Sequence, residues 1–333
     1  MTDRTSIPGT ASDHTRRLYT LLIFAALALV MIVVIVSAYL RLAGSGLGCA
    51  GWPACYALIQ SHGGVTSLAA AHLVAPWATV THRLAASTLG LLVLGIVATA
   101  LRRRRAPDQS LALPFALLAL TVFLSILGYR TPSPLAPWVA LSNLLGGMAM
   151  LALLWWLGQR SVSAAMVRDA ALRLRPWALL GIVVVFFQIA LGGWVSANFA
   201  AAACTDFPGC GGFPWLHGPW RESFNLTRML PVTDGGAVVV GDTGKVIHLA
   251  HRAGALLVFV YIGWLGVRAV ARAPTRATGA TMLGLLALQV VLGIAAVAYG
   301  LPLAVVTLHN AVAALLLLSA VHLFHLLTPR PAA

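Results

Sequence analysis

Apolar runs of roughly 20 residues recur along the whole chain, at about 18–40, 74–99, 110–128, 138–158, 176–198, 246–267, 278–298 and 303–327. A helix rises 1.5 Å per residue, so a run of ~20 covers the ~30 Å of a bilayer's hydrocarbon core. In lipid every backbone N–H and C=O must be paired within the structure, which leaves only helices and closed barrels. A tilted barrel strand needs only ~10 residues, so runs of this length read as helices. Composition agrees: of 333 residues only 9% are charged, where a water-soluble domain carries ~25%. The mean hydropathy is +0.90. The expected fold class is an all-α membrane protein with eight transmembrane helices.

The net charge of +14 would suit a nucleic-acid partner if it formed one face, but it does not. Arg102–Arg105 form one cluster; Arg160, Arg168, Arg173 and Arg175 a second; Arg268, Arg272 and Arg276 a third. Arg4, Arg16, Arg17 and Arg330 lie near the ends. These groups fall in alternate gaps between the apolar runs, the positive-inside pattern of a multi-pass protein with both termini in the cytoplasm. No nucleic-acid role follows; membrane lipid is the partner these charges meet. Residues 1–17 read as a disordered cytoplasmic tail, 18–158 as an N-terminal four-helix bundle, 159–175 as a cytoplasmic linker, partly interfacial, and 176–327 as a C-terminal four-helix bundle with an external loop at 199–245. The first apolar run is too long for a cleavable signal and reads as the first span.

The halves repeat each other. Cys49 and Cys55 match Cys204 and Cys210 in spacing, and His82-Arg83 matches His251-Arg252, each near the start of its half's second span. An even number of spans per half makes the repeats parallel, related by an axis along the membrane normal. The bundles are therefore expected to be pseudo-symmetric. All four cysteines lie in the gaps opposite the arginines, on the non-cytoplasmic side. In a bacterial inner membrane that side is oxidising. Their spacing suits tight-loop disulfides, whether as staples or as redox-exchanging pairs, and pairing across the halves also remains open.

Ionisable side chains inside a span are costly and point to function. His251 and His309 sit at similar depth near the external ends of the sixth and eighth runs. Two imidazoles on facing helices can hold a haem iron from both sides; the plain alternative is a hydrogen bond from each ring across helices. No carboxylate or thiolate shares their depth, which favours haem over a bare metal ion. His248, one turn before His251, is placed to contact a haem propionate, to support His251, or to face the loop. Arg83 and Arg252 follow the histidines and suit propionates or lipid phosphates. In the N-terminal half, Thr79 stands three residues before His82, and Asn143 aligns with His309. A haem there would be held by His82 alone with one face open, unless the site is only structural. His322 and His325, near the cytoplasmic end of the last run, are expected at the membrane interface, and Trp77, Trp155, Trp156 and Trp194 in the aromatic belts. Gly146, Gly147, Gly192 and Gly193 permit close helix contact or room for a macrocycle.

Taken together, AYLRLAGSGLGCAGWPAC, THRLAAS, LSNLLGGM, the second cysteine pair, IHLAHR and TLHNAVAAL resemble haem A synthase, the membrane enzyme that converts haem O to haem A for cytochrome oxidase assembly. The resemblance covers residues 18–327. It implies a C-terminal half that holds a haem b between His251 and His309. It implies an N-terminal half where the substrate, haem O, is oxidised at a ring methyl with His82 as a ligand. It also implies a Cys49–Cys55 disulfide with a redox or haem-handling role, and haem O synthase and an electron donor or acceptor as partners; a homo-oligomer is compatible with it. Two positions depart from the family pattern. Thr79 stands where a Glu is usual, and Asn143 where a His is usual; threonine cannot carry a charge. His72 is a candidate compensating base. Two functions follow: a haem A synthase-like oxidoreductase, or a catalytically altered haem b-binding membrane protein for electron transfer or oxidase assembly.

Overall fold

The computed structural model describes residues 9–44, 76–106, 109–129, 136–162, 173–231 and 238–329. The long helices are α1 (Gly9–Gly44), α2 (Pro76–Arg102), α3 (Ala112–Tyr129), α4 (Pro137–Val162), α5 (Arg175–Ala197), α6 (Gly241–Val270), α7 (Arg276–Ala298) and α8 (Leu303–Leu326). All of these except α3 are long and apolar enough to cross a membrane; α3 is a shorter apolar helix. The protein is an all-α, multi-pass membrane protein.

Several boundaries differ from those read in the sequence. Residues 9–17, expected in the tail, already belong to α1. The run of Leu, Ala and Ile that follows favours helix, and the preceding polar residues extend it. α6 starts at Gly241, five residues earlier than the apolar pattern suggests, and Asp242 and Lys245 form an ion pair near its start (3.0 Å). α7 and α8 are joined by a tight turn in which Gly300 has φ +69°, a conformation glycine adopts without steric cost. Pro302 then caps α8, and the Leu301 N–H reaches back to the Ala296 carbonyl at 2.7 Å.

Helix neighbours follow chain order: α1 contacts α2 and α4, and α3 contacts α2 and α4. Likewise α5 contacts α6 and α8, and α7 contacts α6 and α8. The two groups meet where α4 touches α5 and α8, and where α1 touches α8. The core runs through both groups, with Ile23, Ile96, Leu151 and Leu154 in one and Ile262, Leu265, Met282 and Leu317 in the other. Leu91, Phe187 and Val260 instead project outward. On a soluble protein such apolar exposure would drive association; here it is the surface that lipid covers.

Small residues set the closest approaches. A Cβ on Gly279 would lie 2.6 Å from the Val270 backbone nitrogen and 2.8 Å from the Gly266 carbonyl, so α6 and α7 touch backbone to backbone. A Cβ on Gly193 would press on Leu141 and Leu144, which fixes α5 against α4.

Two groups expected at the membrane surface lie inside. Trp194 is buried, and its indole N–H donates to the Ser223 carbonyl at 2.8 Å. The short helix Trp220–Ser223 of the α5–α6 connection folds back to supply that acceptor. His325 is buried and His322 half-buried, in the seam between α4 and α8. There Gln159 meets the His322 ring, Trp155 donates to the Leu318 carbonyl at 3.0 Å, and Trp156 stacks on Phe324 and meets His325 edge-on. Trp77 is exposed and stacks on Tyr39.

Candidate functional site

A cavity of about 420 Å³ opens among α5, α6, α7 and α8, with Leu42 of α1 and Leu144 and Met148 of α4 closing one side. Its wall is largely apolar, and its polar groups converge from four helices. α6 supplies His248, His251 and Arg252, α8 supplies His309 and Asn310, and α5 and α7 supply Gln188 and Gln289. Few polar groups in an apolar hollow of roughly 300–1,000 Å³ is the usual form of a small-molecule or cofactor site.

Each of the two principal imidazoles is held by a glutamine from the helix beside it. Gln188 Nε2 lies 3.0 Å from His251 Nδ1 and also donates to the His251 carbonyl at 2.9 Å. Gln289 Nε2 lies 3.0 Å from His309 Nε2. One turn after each glutamine a glycine faces the same ring. A Cβ on Gly192 would stand 3.0 Å from His251 Cε1, and one on Gly293 3.2 Å from His309 Cε1. The Oε1 atoms of both glutamines and Nδ1 of His309 are buried without a hydrogen-bond partner. Buried polar atoms in that condition are expensive and call for a ligand or a change of partner.

Arg41, near the end of α1, reaches into this site. Its Nε donates to Ser196 Oγ of α5 at 3.1 Å and its Nη2 to Asn310 Oδ1 of α8 at 3.2 Å. A guanidinium in that position ties α1 to the wall of the cavity with two charge-assisted hydrogen bonds. Sequence reading passed over Arg41, although an arginine just inside the end of a span was the available signal.

Arg252 lines the same cavity and also grips the α5–α6 connection. Its Nη1 donates to the carbonyls of Asp206 (2.8 Å), Pro208 (3.1 Å) and Gly209, and its Nη2 to that of Cys204 (3.2 Å). Cys204 and Cys210 are joined in a disulfide, so the arginine fills the ring of carbonyls that the closed loop presents. Asp206 completes the loop by accepting from the Gly211 N–H with both carboxylate oxygens (3.0 and 2.9 Å). His248 is buried against this region, with Nδ1 unpartnered and the Ala200 backbone in hydrogen-bonding range of the ring.

The N-terminal residues are arranged differently. Thr79 and His82 are half-buried one turn apart on α2, Arg83 is exposed, and Asn143 is half-buried on α4. None of these four lines the cavity. Cys49, Cys55, His62 and His72 lie outside the described residues. Among the described residues no three His, Cys, Asp or Glu side chains gather as a metal cluster.

Fold and cavity thus define a multi-pass helical membrane protein with two half-buried imidazoles facing a common apolar hollow. Residues 20–321 match the family of cytochrome oxidase assembly proteins COX15-CtaA, and the chain belongs to it. It is similar to the heme A synthase of Shewanella oneidensis, at 35% identity over 322 residues, which span 91% of this chain and 94% of that protein.

Proposed function

We propose that this protein is a haem A synthase-like oxidoreductase of the bacterial inner membrane that oxidises a ring methyl of haem O, with a haem b held between His251 and His309. The carrying observation is that both imidazoles line one cavity and that each is oriented by a glutamine on a neighbouring helix. The residues present suit a haem. The donors are two imidazoles, and among the described residues no three His, Cys, Asp or Glu side chains gather as a cluster for a bare metal ion, which fits an iron whose remaining positions a macrocycle would fill. The buried, unpartnered Nδ1 of His309 is a polar atom that such a ligand would account for by reorienting the ring.

When bound, the haem b would supply one-electron chemistry. The chain's own work is orientation and exclusion of water. Gln188 and Gln289 direct the rings, Gly192 and Gly293 leave room beside them, and Leu144 and Met148 keep the hollow apolar. Arg252 anchors the external wall through the disulfide loop, and its buried, unpartnered Nε faces the haem's charged edge. His248 supports the same wall.

In this reading eight spans form two pseudo-symmetric four-helix bundles, with α3 as the eighth crossing and both termini cytoplasmic. The substrate haem O sits in the N-terminal bundle, with His82 as its ligand and Thr79 and Asn143 beside it. Haem O synthase delivers the substrate, and Arg83 faces its charged edge. The test is co-expression with haem O synthase, followed by haem extraction, chromatography and mass analysis. Formation of haem A is expected; full haem b loading with no haem A would leave the second reading, a catalytically altered haem b carrier for electron transfer or oxidase assembly. Thr79 and Asn143 are the observation in its favour, because neither supplies the carboxylate or imidazole usual at those places.

A further inference from the structure

The two imidazoles are held in the same manner but not by the same nitrogen. We propose that Gln188 and Gln289 are positioning residues of opposite effect: Gln188 presents His251 for iron binding, whereas Gln289 restrains His309 until its hydrogen bond breaks. The inference rests on the reading of His251 and His309 as haem ligands.

The matched geometry comes from spacing. Gln188 and Gly192, like Gln289 and Gly293, are four residues apart and share a helix face. Each pair forms a slot, with an amide at one end and bare backbone at the other, into which the neighbouring helix inserts its ring. Within the slot the two histidines differ. Gln188 is fastened twice to one residue, at ring Nδ1 and at the backbone carbonyl of His251 (3.0 and 2.9 Å). That two-point hold fixes the ring against its own helix and leaves Nε2 without a hydrogen-bond partner among the described residues. Gln289 makes a single contact, and it is to Nε2 of His309 (3.0 Å), with Nδ1 buried and unpartnered.

A neutral imidazole binds a metal through one nitrogen and keeps its proton on the other, which then needs an acceptor. For His251 binding through Nε2, the proton resides on Nδ1, and the acceptor beside it is the buried, unpartnered Oε1 of Gln188. A turn of the amide, which gives up its bond to the His251 carbonyl, supplies it without moving the ring. For His309 the same outcome requires Nε2 to leave Gln289 and the ring to rotate. His251 is therefore the ligand that engages first, and His309 follows.

The test uses the full-length apo protein in detergent, titrated with haemin and followed by rapid-mixing absorption and electron paramagnetic resonance. The unsubstituted protein is expected to develop a high-spin signal before the low-spin one. Gln289→Leu should speed the second phase by roughly 2- to 10-fold, as one neutral hydrogen bond no longer has to break. Gln188→Leu should weaken binding by roughly 10- to 100-fold, the scale of losing a group that orients a metal ligand. Gln188→Glu, whose carboxylate can accept from Nδ1–H, should restore most of it. Should a leucine variant not assemble, alanine at the same position takes its place. Equal shifts in both variants, or none in either, would overturn the proposal. His251→Ala and His309→Ala separate the two levels. If these keep the low-spin signal, the ligand reading itself fails; if they lose it while the glutamine variants behave as the parent, only the present inference fails.

Discussion

The third helix of each half tells the two halves apart. α7 carries Gln289-Val-Val-Leu-Gly293, with its glutamine against His309 of α8. α3 carries Leu124-Ser-Ile-Leu-Gly128, and its partner helix α4 has Asn143 where α8 has His309. Leu124 lies over Gly146, one turn beyond Asn143, where an added Cβ would be 3.2 Å from Leu124 Cγ. Imidazole and amide are thus both lacking at this pair of helices. A polar group without a partner is costly in apolar surroundings, so Gln289 accompanies His309 while Leu124 accompanies Asn143. The first helices differ, because His82 is present where the C-terminal half has His251 and α1 still has no glutamine. Matching Cys49 to Cys204 places Val33 opposite Gln188 (204 − 49 = 188 − 33), so the N-terminal half has an apolar residue at both glutamine positions.

The sharpest break in this comparison would come from the ligands themselves. His251→Ala or His309→Ala should reduce the haem b content of purified protein by more than the roughly 100-fold ascribed to the loss of a supporting group, read by the pyridine haemochrome assay. His82→Ala should leave that content unchanged. Equal losses from all three would erase the distinction between the halves. The converse experiment rebuilds the missing pair. Leu124→Gln combined with Asn143→His should raise low-spin haem towards about two per chain, whereas Asn143→His alone should do so less well. If the double variant gains nothing, spacing alone does not make the site.

Smaller effects test how the halves are joined. Arg41→Leu removes two charge-assisted hydrogen bonds between α1 and the cavity wall, each worth about 1.5–3 kcal/mol, and should lower the thermal midpoint in detergent. Arg41→Lys should recover only part of this, since a single ammonium does not reproduce the fork that spans Ser196 and Asn310. The smallest change is expected from Cys204→Ser with Cys210→Ser. Opening so short a loop costs about 2 kcal/mol and loosens the carbonyls around Arg252. Haem content should hold while the midpoint falls. Loss of haem with an unchanged midpoint would make the loop part of the site rather than its wall.

Membrane class and helix order were legible because lipid forbids unpaired backbone, so long apolar runs have one outcome. The histidines His251 and His309 were legible for the same reason, as ionisable groups at matched depth. Gln188 and Gln289 were not, although the repeated Gln-x-x-Leu-Gly was present, because a glutamine in a span has many possible partners and only the helix neighbours choose one. The partners of Arg252 were hidden for a related reason. Its position next to His251 suggested a haem carboxylate, but a closed disulfide loop offers four carbonyls at hydrogen-bonding distance, and a preorganised set of acceptors holds a guanidinium well. His322 and His325 were placed at the surface by their distance along α8, yet α4 packs over that end and brings Gln159 to His322 and Trp156 to His325.

By itself, then, the sequence determined the solvent this chain folds in, the order of its long apolar segments, and the residues too polar to be there without a purpose. Tertiary structure decided which of those residues meet. Periodicity records how often a residue faces one side of its helix, but partner choice depends on the rotation and depth of a second helix. Those are set by contacts such as Gly193 against Leu144 and Gly279 against Gly266, made between residues far apart in the chain.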